Sequence, residues 1–213
     1  MKTPVPIVQR WMIGILFVAM LVTGWYAIYP SNTVLQHLPT AVLLVAAVPL
    51  LQHWPLGNAS AAAIFAFFML HALGAQYSYS FVPYDAWLRA ITGTDLSSHF
   101  VFVRNHYDRL VHFCFGLLAI GPVREIARRH LGLSSRGAAY IAPEFVFAFS
   151  ACYEIFEWTL AVTMSPADAE AYNGQQGDPF DSQKDMAMAA LGAIVGTMLF
   201  YLRGRFIAGR SRQ

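Results

Sequence analysis

The chain has 213 residues, of which 57% are hydrophobic, 15% aromatic and only 12% charged, with a net charge of +2. That charged share is about half the usual one for a soluble domain and cannot cover the surface of a fold this size. A disordered chain, a nucleic-acid-binding domain and an ordinary cytosolic enzyme are thereby excluded. What remains is an all-α integral membrane protein, a single domain over residues 1–213 whose first partner is the lipid bilayer.

Six apolar runs of about 20 residues predict a polytopic bundle of about six transmembrane helices. The first covers about 11–29 and stops at Pro30-Ser31-Asn32. Lys2 and Arg10 ahead of it resemble a signal peptide, but no small-residue cleavage site follows, so an uncleaved first helix is expected. The second and third cover about 34–51 and 60–77, and Pro49, Pro55 and Gly57 leave room for shorter or re-entrant segments. A long loop then runs over 78–104. The fourth, fifth and sixth cover about 105–123, 138–163 and 182–202.

Charge orients the bundle. Arg124, Arg128, Arg129 and Arg136 lie between the fourth and fifth runs, Lys2 and Arg10 precede the first, and Arg203, Arg205, Arg210 and Arg212 follow the last. The positive-inside rule puts all three segments, and hence both termini, in the cytoplasm, with anionic-lipid contact as a by-product. Asp168, Glu170, Asp178 and Asp181 make the segment before the sixth run acidic, so it faces outward with the 78–104 loop. Cys114 and Cys152 each sit in an apolar run, which argues against a disulfide framework or a zinc–thiolate site.

Ionisable side chains are costly inside a bilayer and normally face the bundle or a wet cavity. His71 lies on the third helix, Asp108, Arg109 and His112 on the fourth, Glu144, Glu154 and Glu157 on the fifth, and Asp185 on the sixth. Asp108 and His112 share a helix face, as do Glu154 and Glu157, and Asp181 and Asp185. At about 1.5 Å rise per residue, Asp108 and Asp185 lie roughly 5 Å below the outer helix ends. His71, His112 and Glu157 lie roughly 10 Å down, and Glu154 roughly 13 Å. One polar layer shared by four helices points to one outward-opening cavity. So many carboxylates must share protons, pair with Arg109 or bind a cation. The metal-ligand candidates are His71, Asp108, His112, Glu154, Glu157, Asp178, Asp181 and Asp185, for a divalent ion such as Zn, Mn or Mg.

Asp178, Asp181 and Asp185 have the spacing of acidic motifs that bind diphosphate through magnesium, although Asp181 or Ser182 also suits a helix cap. Other residues have plainer roles. Glu144 is expected to pair with Arg124 or Arg128. His37, His53, His99 and His130 are expected in solvent. Trp54, Trp87 and Trp158, with Tyr77 and Tyr79, suit an interfacial belt. Gly192 and Gly196 suit close helix packing.

Four segments together, HALGAQYSY at 71–79 with VP at 82–83, NHYDRLVH at 105–112, YEIFEW at 153–158 and GDPFDSQKDM at 177–186, resemble the YjdF-type family of bacterial inner-membrane proteins. The resemblance covers most of the chain and implies a multi-pass protein of the bacterial inner (plasma) membrane, with the chemistry left open. Where the family's third-helix motif carries His, this chain has Gln76, so no ligand is carried over there.

The leading functional expectation is a metal-dependent hydrolase or transferase acting on a lipid-linked or amphipathic small-molecule substrate. Asp108, Arg109, Glu154 and Glu157 are its catalytic candidates, with Arg109 holding an anionic group. The rivals are a proton-coupled transporter of a small solute or cation, disfavoured by the apolar inner halves of the fourth and sixth helices, and a non-catalytic assembly protein.

Overall fold

The computed structural model describes residues 3–210, with side chains up to 204. Lys2 and Arg212, and the side chains of Arg205 and Arg210, lie outside what it describes. Among the described residues, six helices are long and apolar enough to span a membrane: α1 (Ile7–Trp25), α2 (Pro30–His53), α3 (Asn58–Gln76), α6 (Tyr107–Arg129), α7 (Ser135–Thr163) and α9 (Asp181–Arg210). Three short helices occupy the loops at one end: α4 (Tyr84–Thr92), α5 (Leu96–Phe100) and α8 (Pro166–Asn173).

α2 starts at Pro30, four residues before the predicted start. Proline needs no N–H bond at the first helical position, and its fixed φ is already helical. Pro39 and Pro49 do not interrupt it, so α2 and α3 are full spans and not re-entrant segments. Neighbouring helices commonly compensate prolines at membrane depth. Pro39 offers no N–H to the Leu35 carbonyl, and at the adjacent Gln36 carbonyl α3 approaches, with His71 Nε2 at 2.7 Å.

Polar cross-links hold the first three helices together. Gln9 donates to the Leu56 carbonyl at 2.8 Å and to Asn58 at 3.0 Å. The Thr33 hydroxyl donates to the Ala75 carbonyl at 2.9 Å. His37, expected in solvent, is buried, with Nε2 3.1 Å from the Thr23 hydroxyl. Its ring packs beside Gly24. His53 and His99 are exposed, whereas His130 Nε2 sits 3.1 Å from the Pro55 carbonyl.

α6, α7 and α9 form the tightest part of the bundle. Ile120, Ala142, Val146, Ala189 and Ala193 are all completely buried there, in a dry apolar layer. α6 and α9 approach until backbone meets backbone. A Cβ at Gly116 would fall on the Ala189 carbonyl, and one at Gly192 on that of Phe113. Gly196 packs the same way, against Leu117 and Ile120. Large apolar side chains such as Val45, Ile155 and Val162 point outward, as a lipid-facing surface requires.

The two ends differ. At one, the Gly57 N–H donates to Glu125 at 2.8 Å, joining the α2–α3 turn to the end of α6 among Arg124, Arg128 and Arg129. Arg129 pairs with Glu125. Glu144 is exposed and makes no ion pair among the described residues, so its expected pairing with Arg124 or Arg128 does not form. At the other end lie α4, α5, α8 and the acidic segment. Trp54, Trp87 and Trp158 are exposed, and Tyr77 stacks edge-on to Trp87. Tyr79 departs from the expected belt: it is buried.

Candidate functional site

The site is built where α6 begins. Asn105 accepts the Tyr107 N–H at 2.9 Å and donates to the Val82 carbonyl at 2.9 Å, which sets the start of α6 against the 78–84 turn. The next turns carry Asp108 and His112 on one face. α9 brings Asp185 and α7 brings Glu154 to the same point. One ligand atom each from Asp108, His112 and Asp185 lie within 4.8 Å of one another. His112 Nε2 is 3.6 Å from Asp108 and 3.7 Å from Glu154.

The donors are buried and under-satisfied. The side chains of Asp185 and Glu154 are 3% and 5% exposed. Both Glu154 oxygens and Asp185 Oδ1 lack a hydrogen bond of normal geometry, although the Ser182 hydroxyl lies beside Glu154. Buried carboxylates without partners are strongly unfavourable, so protons or a cation must complete this cluster. A cavity of about 120 Å³ adjoins it, bounded by Asp108, His112, Ser150 and Tyr153 on the polar side and by aromatic rings on the other.

A salt-bridge network closes the acidic end. Arg104 bonds Asp181 and the carbonyls of Gln175 and Gly174, the latter two at 3.0 and 3.2 Å. Arg109 donates to Asp178 at 2.6 Å and to Asp181 at 3.4 Å, and Lys184 reaches Asp178 at 2.6 Å. Lys184, the Phe180 N–H and Arg109 hold the Asp178 carboxyl down at about 2. Burial, then Arg109 and Arg104, push His106 below the ordinary histidine range. The Arg109 Nε remains without a hydrogen bond, 4.0 Å from Asp185.

A family model described as "Predicted membrane protein (DUF2238)" matches residues 8–205. The chain belongs to this family. It is also similar to the inner membrane protein YjdF of Escherichia coli (strain K12), 34% identical over 145 residues, 66% of this chain and 65% of the relative. The match thus spans just under two thirds of that relative. No solved structure matches. The resemblance read from the four segments is borne out, and this DUF2238 chain is a multi-pass inner-membrane protein.

In this family member the expected polar residues fall in four places. Asp108, His112 and Asp185 come together, with Glu154 beside them. Asp178 and Asp181 stand apart, their oxygens engaged by Arg104, Arg109 and Lys184. Glu157 lies one turn from Glu154, half-buried, with its carboxyl beside Tyr153. His71 lines the far side of the cavity, and both its ring nitrogens are engaged. Because the Gln36 carbonyl can only accept, Nε2 of the neutral ring carries the proton and Nδ1 accepts from the Tyr79 hydroxyl.

The Tyr79 hydroxyl arrives through a strained turn. Ser78 and Tyr79 have φ of 46° and 54°, uncommon for residues with a side chain. Gly74 makes room, since a Cβ there would sit 2.7 Å from the Tyr79 ring. Burial raises the Tyr79 phenol well above its ordinary range, so it stays a donor. Sequence reading missed Arg104 and Tyr79 as site residues. The available signal for Arg104 was its sign: an arginine at the end of a loop assigned to the acidic side.

Proposed function

We propose that this protein is a membrane-embedded, metal-dependent hydrolase or transferase acting on a lipid-linked or otherwise amphipathic substrate. The observation that carries this reading is the convergence of Asp108, His112 and Asp185, the first half-buried and the other two buried, with one coordinating atom each inside a single ion's reach. Two carboxylates and an imidazole suit Zn or Mn better than Mg, which prefers all-oxygen sites. Three protein ligands leave a position open. When bound, such an ion polarises a substrate oxygen and lowers the pKa of a water.

The chain's own groups supply the rest. Asp108, His112 and Asp185 hold the ion. Glu154, close to His112 and short of partners, accepts a proton from the attacking water. Glu157, beside Tyr153, returns a proton to the leaving group. Arg109, whose Nε lies 4.0 Å from Asp185, stands beside the cluster to hold an anionic substrate group. Asp178 and Asp181 keep the acidic segment closed over the cluster through Arg104 and Arg109. The aromatic wall of the cavity opposite the carboxylates favours an amphipathic substrate.

The two rival readings fare worse. Transport needs a polar route past the layer of Ile120, Ala142, Val146, Ala189 and Ala193, all fully buried. A purely structural role fits poorly with buried Glu154 oxygens and an Asp185 Oδ1 that lack a hydrogen bond of normal geometry. The test is elemental mass spectrometry of protein purified from its native membrane and of protein incubated with Zn, Mn or Mg. About one divalent ion per chain is expected, lost in His112→Ala and Asp185→Asn and retained in Glu154→Gln. No stoichiometric binding of any of the three ions defeats the proposal.

A further inference from the structure

At the opposite end of the bundle from the carboxylate cluster, α3, α6, the start of α7 and α9 surround a cleft of about 730 Å³. That is within the range of small-molecule sites, about 300–1,000 Å³. Arg124, Arg128, Arg129 and Arg203 line it, with Glu125 as its one acidic group among the described residues. Glu125 is committed to Arg129 and to the Gly57 N–H. Among the described residues, Arg124, Arg128 and Arg203 have no carboxylate partner, so three guanidinium charges face one cleft uncompensated.

Two of these charges are four residues apart on one helix, a spacing at which like charges repel. Arg124 is held by its placement over the Phe200 ring, 5.3 Å from the centroid. Ser134 and Ser135 bring the start of α7 to the same rim, where the Ser134 hydroxyl caps the Gly137 N–H and leaves the earlier first-turn N–H groups for a ligand. The site therefore combines a preset cationic rim with an N-terminal dipole, which is the chemistry of phosphate recognition.

The walls decide which phosphate. Leu117, Leu118, Pro122 and Phe200 make most of the lining apolar. A soluble anion would occupy the rim and leave those walls wetted. A glycerophospholipid covers them with its glycerol and upper acyl chains while its phosphate meets the arginines. The cleft lies where spanning helices end, at headgroup level, so such a lipid reaches it from the surrounding bilayer.

We propose that this cleft is a specific binding site for the phosphate headgroup of an anionic phospholipid, with Arg124, Arg128 and Arg203 as its ligands. It is independent of the carboxylate cluster and of the activity assigned there.

Native mass spectrometry and thermal unfolding of the detergent-purified chain test it. Phosphatidylglycerol should remain bound as a resolved adduct and raise the unfolding temperature, whereas phosphatidylcholine and glycerol 3-phosphate should do neither. Each of Arg124→Gln, Arg128→Gln and Arg203→Gln should weaken retention about fivefold, the effect of one basic side chain near an anionic lipid surface. Arg136→Gln, outside the cleft, should leave it unchanged. Equal stabilisation by phosphatidylcholine overturns the proposal without any variant, as does undiminished phosphatidylglycerol retention in the triple variant. Equal stabilisation by glycerol 3-phosphate reassigns the cleft to a soluble anion and overturns the lipid assignment.

Discussion

Arg104 ties three parts of the acidic end together, bonding the Asp181 carboxylate at the start of α9 and the carbonyls of Gly174 and Gln175 after α8. Its side chain is 7% exposed and that of Asp181 6%, so the pair is well shielded from water. Removing one partner of such a pair leaves an uncompensated buried charge, a loss of about 3–5 kcal/mol. Arg104→Ala is therefore expected to lower the unfolding temperature in detergent sharply. Arg104→Lys should recover only part of the loss, because an ammonium cannot present a guanidinium's fork to a carboxylate and two carbonyls. A thermal scan in which Arg104→Ala matches wild type would show that the network does not hold the acidic segment down. Nothing in local spacing announced this role. The bond joins positions 77 apart, and only folding makes them neighbours.

At the level of elements, α6 and α9 carry both the tightest packing and the candidate ligands. Gly116, Gly192 and Gly196 let their backbones touch, and Asp108, His112 and Asp185 sit on the same two helices toward the acidic end. The Gly192/Gly196 pair was readable in the sequence as a close-packing motif, since small residues four apart line one helix face. Its partner, Gly116, was not, because nothing in spacing says which helix approaches. Gly192→Val would drive a side chain into the Phe113 carbonyl, and backbone cannot yield there as a flexible side chain can. The helices must separate, at a cost of about 1–3 kcal/mol or more. Loss of metal binding should accompany the lowered stability. Gly14→Ala on α1, where a Cβ meets nothing, is expected to change neither. Unaltered metal content in a destabilised Gly192→Val would uncouple the packing from the site.

For the molecule as a whole, the decisive feature is that polar groups occupy both ends while a dry layer separates them. Ile120, Ala142, Val146, Ala189 and Ala193 have no accessible surface, so no wet path joins the carboxylate cluster to the arginine cleft through the α6–α7–α9 core. Moving an ion through such a layer would cost several kcal/mol or more. Vesicles containing the protein and a trapped metal-sensitive dye should take up Zn or Mn no faster than protein-free vesicles. Fast, saturable uptake abolished by Asp185→Asn would replace the enzyme reading with transport.

The sequence by itself determined the environment, the six spans and the layer of ionisable residues, because hydropathy depends on run length and helix faces on spacing within one segment. It placed Asp108 with His112 on one face and the acidic run at the start of the last helix. Only the tertiary structure decided which faces meet. It joined Asp185 to that pair, turned Asp178 and Asp181 toward arginines, buried His37 against Thr23, and folded Tyr79 back onto His71 through a turn that Gly74 makes room for. These outcomes depend on helix rotation and neighbour choice. Both are set by backbone contact at a few glycines and by ion pairs between distant segments, quantities that no one-dimensional pattern contains.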